Sequence, residues 1–312
     1  MSRYTRRTFL KHSATAGVSA LAAGPLGRAA LASDKKAGLK YSMCNETFVD
    51  WPHEKVCRFV AECGYGGLEI APFTFNTDVT RITAKERAVI RRDAEKAGIR
   101  VVGLHWLLAK TTGLHLTSSD PAIRKATSEY LVALGDLCAD LGGHVIVFGS
   151  PKQRNLAKGM KPAQGMAHAS EVLRGAMPGL KKRGVTLAFE PLAATETNFI
   201  TTAAEGVALA KRVDHPNCKV LLDCKAMWPE PTPIPQLIRR HHEWLGPFHA
   251  NDPNLQGPGF GELEFEPILS ALGEVGYKGW VSVEVFDYTP GIERLARESI
   301  GYMLECLERL AK

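Results

Sequence analysis

The sequence predicts an α/β chain closed into a (β/α)8 TIM barrel, and three observations predict it. Short apolar runs alternate with amphipathic segments from Leu39 onward. The alternation repeats eight times at regular spacing. Glycine, proline and capping acids mark the joints. Such alternation means a parallel sheet covered by helices. Eight evenly spaced parallel strands are most simply closed on themselves, because closure removes both exposed edges.

Strands are expected near residues 39–43, 67–70, 100–104, 144–148, 185–189, 219–222, 246–249 and 280–284, with helices at about 52–63, 84–97, 120–141, 163–182, 202–213, 233–241, 266–274 and 291–311. Asp50-Trp51-Pro52 places a capping acid and a proline at the first helix start, and Ser119-Asp120-Pro121 does the same at the third. Gly64, Gly98, Gly142-Gly143, Gly184 and Gly276 supply helix stops before strands. The one long irregular stretch, Asn251 to Glu264, follows the seventh strand, and such loops usually carry function.

Residues 1–32 read as an address rather than structure. Thr5-Arg6-Arg7-Thr8-Phe9-Leu10-Lys11 resembles the twin-arginine export signal, a mildly apolar run follows from Ser13 to Leu26, and Ala30-Leu31-Ala32 offers a cleavage site. The expectation is a periplasmic or otherwise extracytoplasmic protein with one barrel domain over residues 33–312. The run is too short and too rich in glycine and alanine to span a membrane, so no membrane anchor is expected after cleavage. This segment holds Arg3, Arg6, Arg7, Lys11 and Arg28 and no acid, so the formal charge of +6 becomes +1 without it. The remaining domain gives no electrostatic case for nucleic acid. The seven cysteines include no CxxC pair and read as free core thiols. Barrels of this kind often form homo-oligomers, but no interface signature is visible.

In a barrel the active site lies at the C-terminal strand ends. There the fifth strand runs into Glu190, the sixth into Asp223, the seventh into His249 and the eighth into Glu284. A lone acid or histidine after a strand is more often a cap or a satisfied core group. Four on adjacent strands are different, because three converging carboxylates repel without a counter-charge. One divalent metal ion supplies it, and three acids with one imidazole suit Mn2+, Mg2+, Co2+ or Zn2+.

The chain resembles the xylose isomerase-like superfamily of sugar isomerases and epimerases, which includes ketose 3-epimerases, hydroxypyruvate isomerases, inosose dehydratases and endonuclease IV. The resemblance rests on Cys44-Asn45-Glu46-Thr47-Phe48, Gly67-Leu68-Glu69-Ile70-Ala71, Phe189-Glu190-Pro191, and His249 followed by Pro258-Gly259-Phe260-Gly261. The spacings of 33, 26 and 35 residues between Glu190, Asp223, His249 and Glu284 look like those of ketose 3-epimerases. The resemblance implies that these four bind the metal and that Glu190 and Glu284 also move protons on opposite faces of the substrate. It implies that Glu196 contacts substrate. His105, at the end of the third strand, is a candidate to hydrogen-bond a substrate hydroxyl. Glu69 is a candidate to bind substrate or brace a neighbour. Trp106, Phe48 and Trp228 are candidate apolar walls, although each aromatic fits the core equally well. Lys152-Gln153-Arg154 reads either as contacts for an anionic or oxygen-rich ligand or as a solvated loop.

Two positions depart from the family pattern. The 3-epimerases carry a substrate-contacting histidine where this chain has Ala226, and an arginine where it has Leu255. The nuclease reading fails on the same missing histidine and on Gly259-Phe260-Gly261, where endonuclease IV has Asp-x-His. The expected function is a metal-dependent isomerase or epimerase acting through an enediolate on a non-phosphorylated ketose or related hydroxy-carbonyl compound. A lyase or dehydratase using the same metal site is the alternative, and a non-catalytic sugar-binding barrel is a third.

Overall fold

The structure, a computed structural model, describes residues 38–312. The export signal and its cleavage site lie outside the described residues. Within them the chain alternates as β1 (Lys40–Cys44), α1 (His53–Cys63), β2 (Gly67–Ile70), α2 (Ala84–Lys96), β3 (Arg100–Leu104), α3 (Pro121–Asp140), β4 (Val145–Phe148) and α4 (Pro162–Lys182). It continues as β5 (Thr186–Phe189), α5 (Ala203–Val213), β6 (Cys218–Asp223), α6 (Ile234–His241), β7 (Leu245–Ala250), α7 (Glu266–Glu274), β8 (Trp280–Val283) and α8 (Ile292–Leu310). A single helical turn, Cys224–Met227, follows β6. Each strand pairs in parallel with the next, and β8 pairs with β1, so the barrel is closed.

Local chemistry sets the boundaries. Thr83 and Glu86 form a reciprocal capping box at α2, and Thr202 with Glu205 does so at α5. Asp120 accepts a hydrogen bond from the Ala122 amide at the start of α3. The cap expected from Asp50 is not made. Pro52 is the N-cap of α1, no side chain caps it, and Asp50 stands exposed two residues earlier. Gly64 ends α1 at φ 103°, a left-handed conformation that a Cβ would disfavour.

Alternation along the strands divides the apolar residues into two cores. One side of each strand packs outward against the helices, as with Leu68, Ile70, Leu104, Ile146, Phe148, Leu187, Phe189, Leu222 and Phe248. The other side fills the barrel, where Val145, Val147, Ala188 and Leu221 form a separate buried cluster. Successive side chains point to opposite faces. Ala188 therefore shares its inward direction with Glu190, Leu221 with Asp223, and Ser282 with Glu284. The last helix is tied to the barrel by the Tyr65 hydroxyl, which donates to the Ala296 carbonyl at 2.8 Å.

All seven cysteines are free; six are buried and Cys63 is half-buried. Burial raises their thiol pKa values, to about 12 at Cys57, Cys63, Cys138 and Cys218. No helix of the described residues is long and apolar enough to cross a membrane.

The inside of the barrel is full. Gly103 pairs with Val145, and a Cβ at 103 would lie 2.4 Å from the Val145 carbonyl oxygen. Gly103→Ala is therefore expected to destabilise the protein by about 1–3 kcal/mol through overpacking. The check is a lower denaturant midpoint with an unchanged slope.

Candidate metal centre

Glu190, Asp223, His249 and Glu284 meet at the C-terminal mouth of the barrel. One donor atom from each lies within 4.8 Å of every other, and all four residues are buried. Register brings them together: Asp223 stands opposite His249 and His249 opposite Ser282, two residues before Glu284.

Each side chain is held separately. Asp223 accepts from the Ala226 amide at 2.7 Å through Oδ1 and from the Asn251 side-chain amide at 2.6 Å through Oδ2. His249 Nδ1 lies 2.9 Å from Glu284 Oε2, and its Nε2 lies 3.3 Å from Glu69 Oε1. Glu69 accepts from Ser282 Oγ at 2.6 Å, and Ser282 Oγ lies 2.7 Å from Ser42 Oγ. A proton on Nε2 shared with Glu69 leaves the Nδ1 lone pair facing the cluster, the usual outer support for a ligating imidazole. Glu284 also accepts from the Trp106 indole N–H at 2.7 Å. Among the described residues no hydrogen bond is recorded to the Glu190 carboxylate. It lies against Gly149, where a Cβ would come within 2.3 Å of Oε2.

The electrostatics follow from crowding. Burial, then Glu284 and Asp223, push the Glu190 carboxyl well above the usual range. Burial also raises Asp223; Lys225 opposes this and Glu284 adds to it. Burial disfavours charge on Glu284 too, but His249 outweighs it and holds the carboxyl at about 2. A divalent cation among these atoms would reverse the pressure on Glu190 and Asp223. The donor set fits such an ion: buried oxygens with one imidazole, each oriented from behind.

The remaining candidates separate. Trp106 is at the mouth, 37% exposed, between Phe73 at 5.9 Å and Phe286 at 6.3 Å. Its φ of 53° is a costly backbone state for a bulky residue. Glu196 is at the mouth, accepting from Lys225 Nζ at 2.9 Å. His105 is buried, with Nε2 2.6 Å from Glu46 Oε2 and Nδ1 unpartnered. Glu69 is fully buried with both oxygens engaged, so it braces His249 rather than meeting substrate. Phe48 is a correction: it is buried against Trp51 and Phe59, in the core and not in a pocket wall. Trp228 is exposed. Arg154 is fully buried. Its guanidinium donates to the carbonyls of Gly149, Glu190, Phe199 and Ile200 and so clamps the end of β5 instead of contacting a ligand.

Sequence reasoning missed Asn251, Lys225 and the Glu46–His105 pair. Asn251 had a signal, since it follows His249 by two and so shares its inward face. Glu46 stands in the motif after β1, but nothing in the sequence pairs it with His105.

A closed parallel barrel with carboxylates and an imidazole gathered at the ends of β5 to β8 is the architecture of a barrel enzyme. The chain belongs to the Xylose isomerase-like TIM barrel family, which it matches over residues 57–306. A D-psicose 3-epimerase of Agrobacterium fabrum is 29% identical over 264 residues, 82% of this chain and 86% of that protein. A D-psicose 3-epimerase of Ruminiclostridium cellulolyticum is 31% identical over 73% of this chain and 76% of its own length. A crystal structure of a D-psicose 3-epimerase in the presence of D-fructose superposes with a TM-score of 0.77 at 24% identity, covering 86% of this chain and 99% of that one. That of 3-keto-D-glucoside 4-epimerase from E. coli gives 0.75 at 18%, over 86% of this chain and 100% of the other; at these identities the two structures speak for the fold. The chain is an enzyme of the isomerase and epimerase class.

The Glu46–His105 pair makes a pH prediction. Burial pushes the His105 imidazole toward neutrality, but Glu46, with Glu69 and Glu284, outweighs it and lifts the pKa to about 9. The folded value lies above the unfolded one, so the stabilisation is complete below about pH 6.5 and is lost as pH rises through 9. Glu46→Gln is expected to destabilise the metal-free protein by several kcal/mol near pH 6 and by much less near pH 10, read from urea midpoints.

Proposed function

We propose that this enzyme is a metal-dependent epimerase or isomerase of a non-phosphorylated ketose or related hydroxy-carbonyl compound. The observation that carries the reading is the convergence of Glu190 and Glu284, from opposite ends of the β5–β8 arc, on one buried cluster with Asp223 and His249. A carbon beside a carbonyl is only weakly acidic, and its deprotonation leaves an enediolate. A bound Mn2+, Mg2+, Co2+ or Zn2+ supplies the charge that stabilises the developing negative oxygens. Glu190, Asp223, His249 and Glu284 would hold it.

The chain's own residues do the rest. One of Glu190 and Glu284 takes the proton, and the other, or the same one, returns it. The hydrogen bond from the Trp106 indole N–H fixes the Glu284 carboxylate. Arg154 fixes the backbone of Glu190 while leaving its carboxylate free to move a proton. Trp106, Phe73 and Phe286 wall the mouth and exclude water. Arg154 spends its guanidinium on carbonyls, and the Lys225 charge is balanced by Glu196 although two of its N–H donors stay free, so neither offers an uncompensated positive charge to a phosphate. That favours a neutral sugar over a phosphorylated one.

The test is solvent deuterium uptake by a panel of ketoses, 3-keto-glycosides and inososes with metal-loaded enzyme. Uptake is expected with the product's formula otherwise unchanged, abolished by EDTA; loss of one water would instead identify a dehydratase. Glu190→Gln and Glu284→Gln are each expected to lower turnover by about 10²–10⁴-fold. Unchanged turnover in both would sink the reading, and no turnover in wild type on any substrate would leave a binding barrel. Asn251→Ala is expected to weaken metal affinity about 10–100-fold by freeing Asp223, measured by calorimetry.

The reading extends to location. The twin-arginine motif at Thr5–Lys11 supports export, and full-length protein is expected in the periplasmic fraction, with Arg6→Lys/Arg7→Lys retained inside.

A further inference from the structure

We infer that Lys225 is a catalytic residue of this site: its ammonium donates to the substrate oxygen on which negative charge develops, while Glu196 beside it accepts from the neighbouring hydroxyl. The inference rests on the enediolate reading above.

Placement comes first. Lys225 follows Asp223 in the helical turn after β6, and its own amide donates to Asn251 Oδ1 at 2.8 Å. The residue that orients Asp223 therefore also anchors the Lys225 backbone. The side chain runs into the mouth and is only 11% exposed. Its Nζ lies over the Phe286 ring at 4.3 Å, and that ring neighbours Trp106, which holds Glu284.

Unfilled hydrogen-bonding capacity is the second observation. An ammonium has three N–H donors. Among the described residues Glu196 Oε1 takes one, at 2.9 Å. Glu196 Oε2 is buried and has no partner. A buried, unpaired carboxylate oxygen is costly unless a ligand donor reaches it. Lys225 and Glu196 thus present a donor and an acceptor side by side, next to the cluster. That pattern matches a carbonyl oxygen adjacent to a hydroxyl, the pair present in every α-hydroxy ketone.

The charges agree. Lys225 is near enough to Glu190, Asp223 and Glu284 to favour their ionised forms. The Lys225 ammonium, paired with Glu196, is assigned the part of an electrostatic donor and not of a proton source. Ala226 is buried and carries no donor, and Leu255 uses its carbonyl to hold the Phe286 and Asp287 amides. Neither side chain carries a donor, whereas the neighbouring Lys225 does.

The experiment compares metal-loaded wild type, Lys225→Met and Lys225→Arg for deuterium exchange into the ketose that wild type accepts best. Metal content and melting temperature are measured alongside, and calorimetric binding of D-fructose is measured for each. Lys225→Met is expected to lose about 10²–10³-fold in kcat, as for removal of one donor to a developing oxyanion. KM should change little, metal content should stay at one equivalent, and Lys225→Arg should recover part of the rate. Wild-type kcat in Lys225→Met, or a rise in KM alone, overturns the inference and leaves the enediolate reading standing. If wild type exchanges no proton, that reading fails, and the binding series decides: undiminished sugar binding in Lys225→Met, or no binding by wild type, overturns the role of Lys225 as well.

Discussion

Mutual repulsion among three buried carboxylates is the constraint to which the rest of this molecule answers. Glu190, Asp223 and Glu284 share one water-poor cluster at the barrel mouth, where like charges are felt strongly. Each neighbour reduces that strain in its own way. His249 joins itself to Glu284, Asn251 and the Ala226 amide hold Asp223, and Lys225 sets a positive charge within reach of all of them. Glu69 is a buried acid added to support His249, and it in turn requires Ser282. Such a cluster is expensive for stability, and a chain keeps it because its chemistry needs it.

The barrel makes that crowding buildable. Inward positions recur every second residue, and each functional side chain sits one such step beyond an apolar or small interior residue: Glu190 after Ala188, Asp223 after Leu221, Glu284 after Ser282. The filled interior below acts as a rigid base. Gly103 and Gly149 show how little room is left, one between strands and the other against Glu190 itself. Reactive groups are therefore positioned by backbone register, while the loops above supply the walls.

Much of this was legible in the sequence because it is locally encoded. Strands and helices follow from hydrophobic period and from caps such as Asp120, and the four strand-end residues stand out once eight strands are counted. The unread part depends on contacts between distant segments. Lys225 meets Glu196 only because β5 and β6 are neighbours, and Glu46 meets His105 across three strand ends. Phe48 reads equally as a pocket wall or a core residue, and only the contacts with Trp51 and Phe59 place it in the core. Arg154 reads as a ligand contact or a solvated cation, yet four carbonyls claim it. Asp50 has the composition of a cap but lies too early in the chain to act as one.

Seven unpaired thiols make the redox fate of this chain a matter of timing. In the finished barrel six are shut away from solvent, and burial keeps thiolate scarce, so oxidants and small thiols find little to attack. Before closure all seven are open to wrong cross-links. Closure of the barrel is therefore what protects these thiols, and an oxidant meets a different molecule before folding than after it.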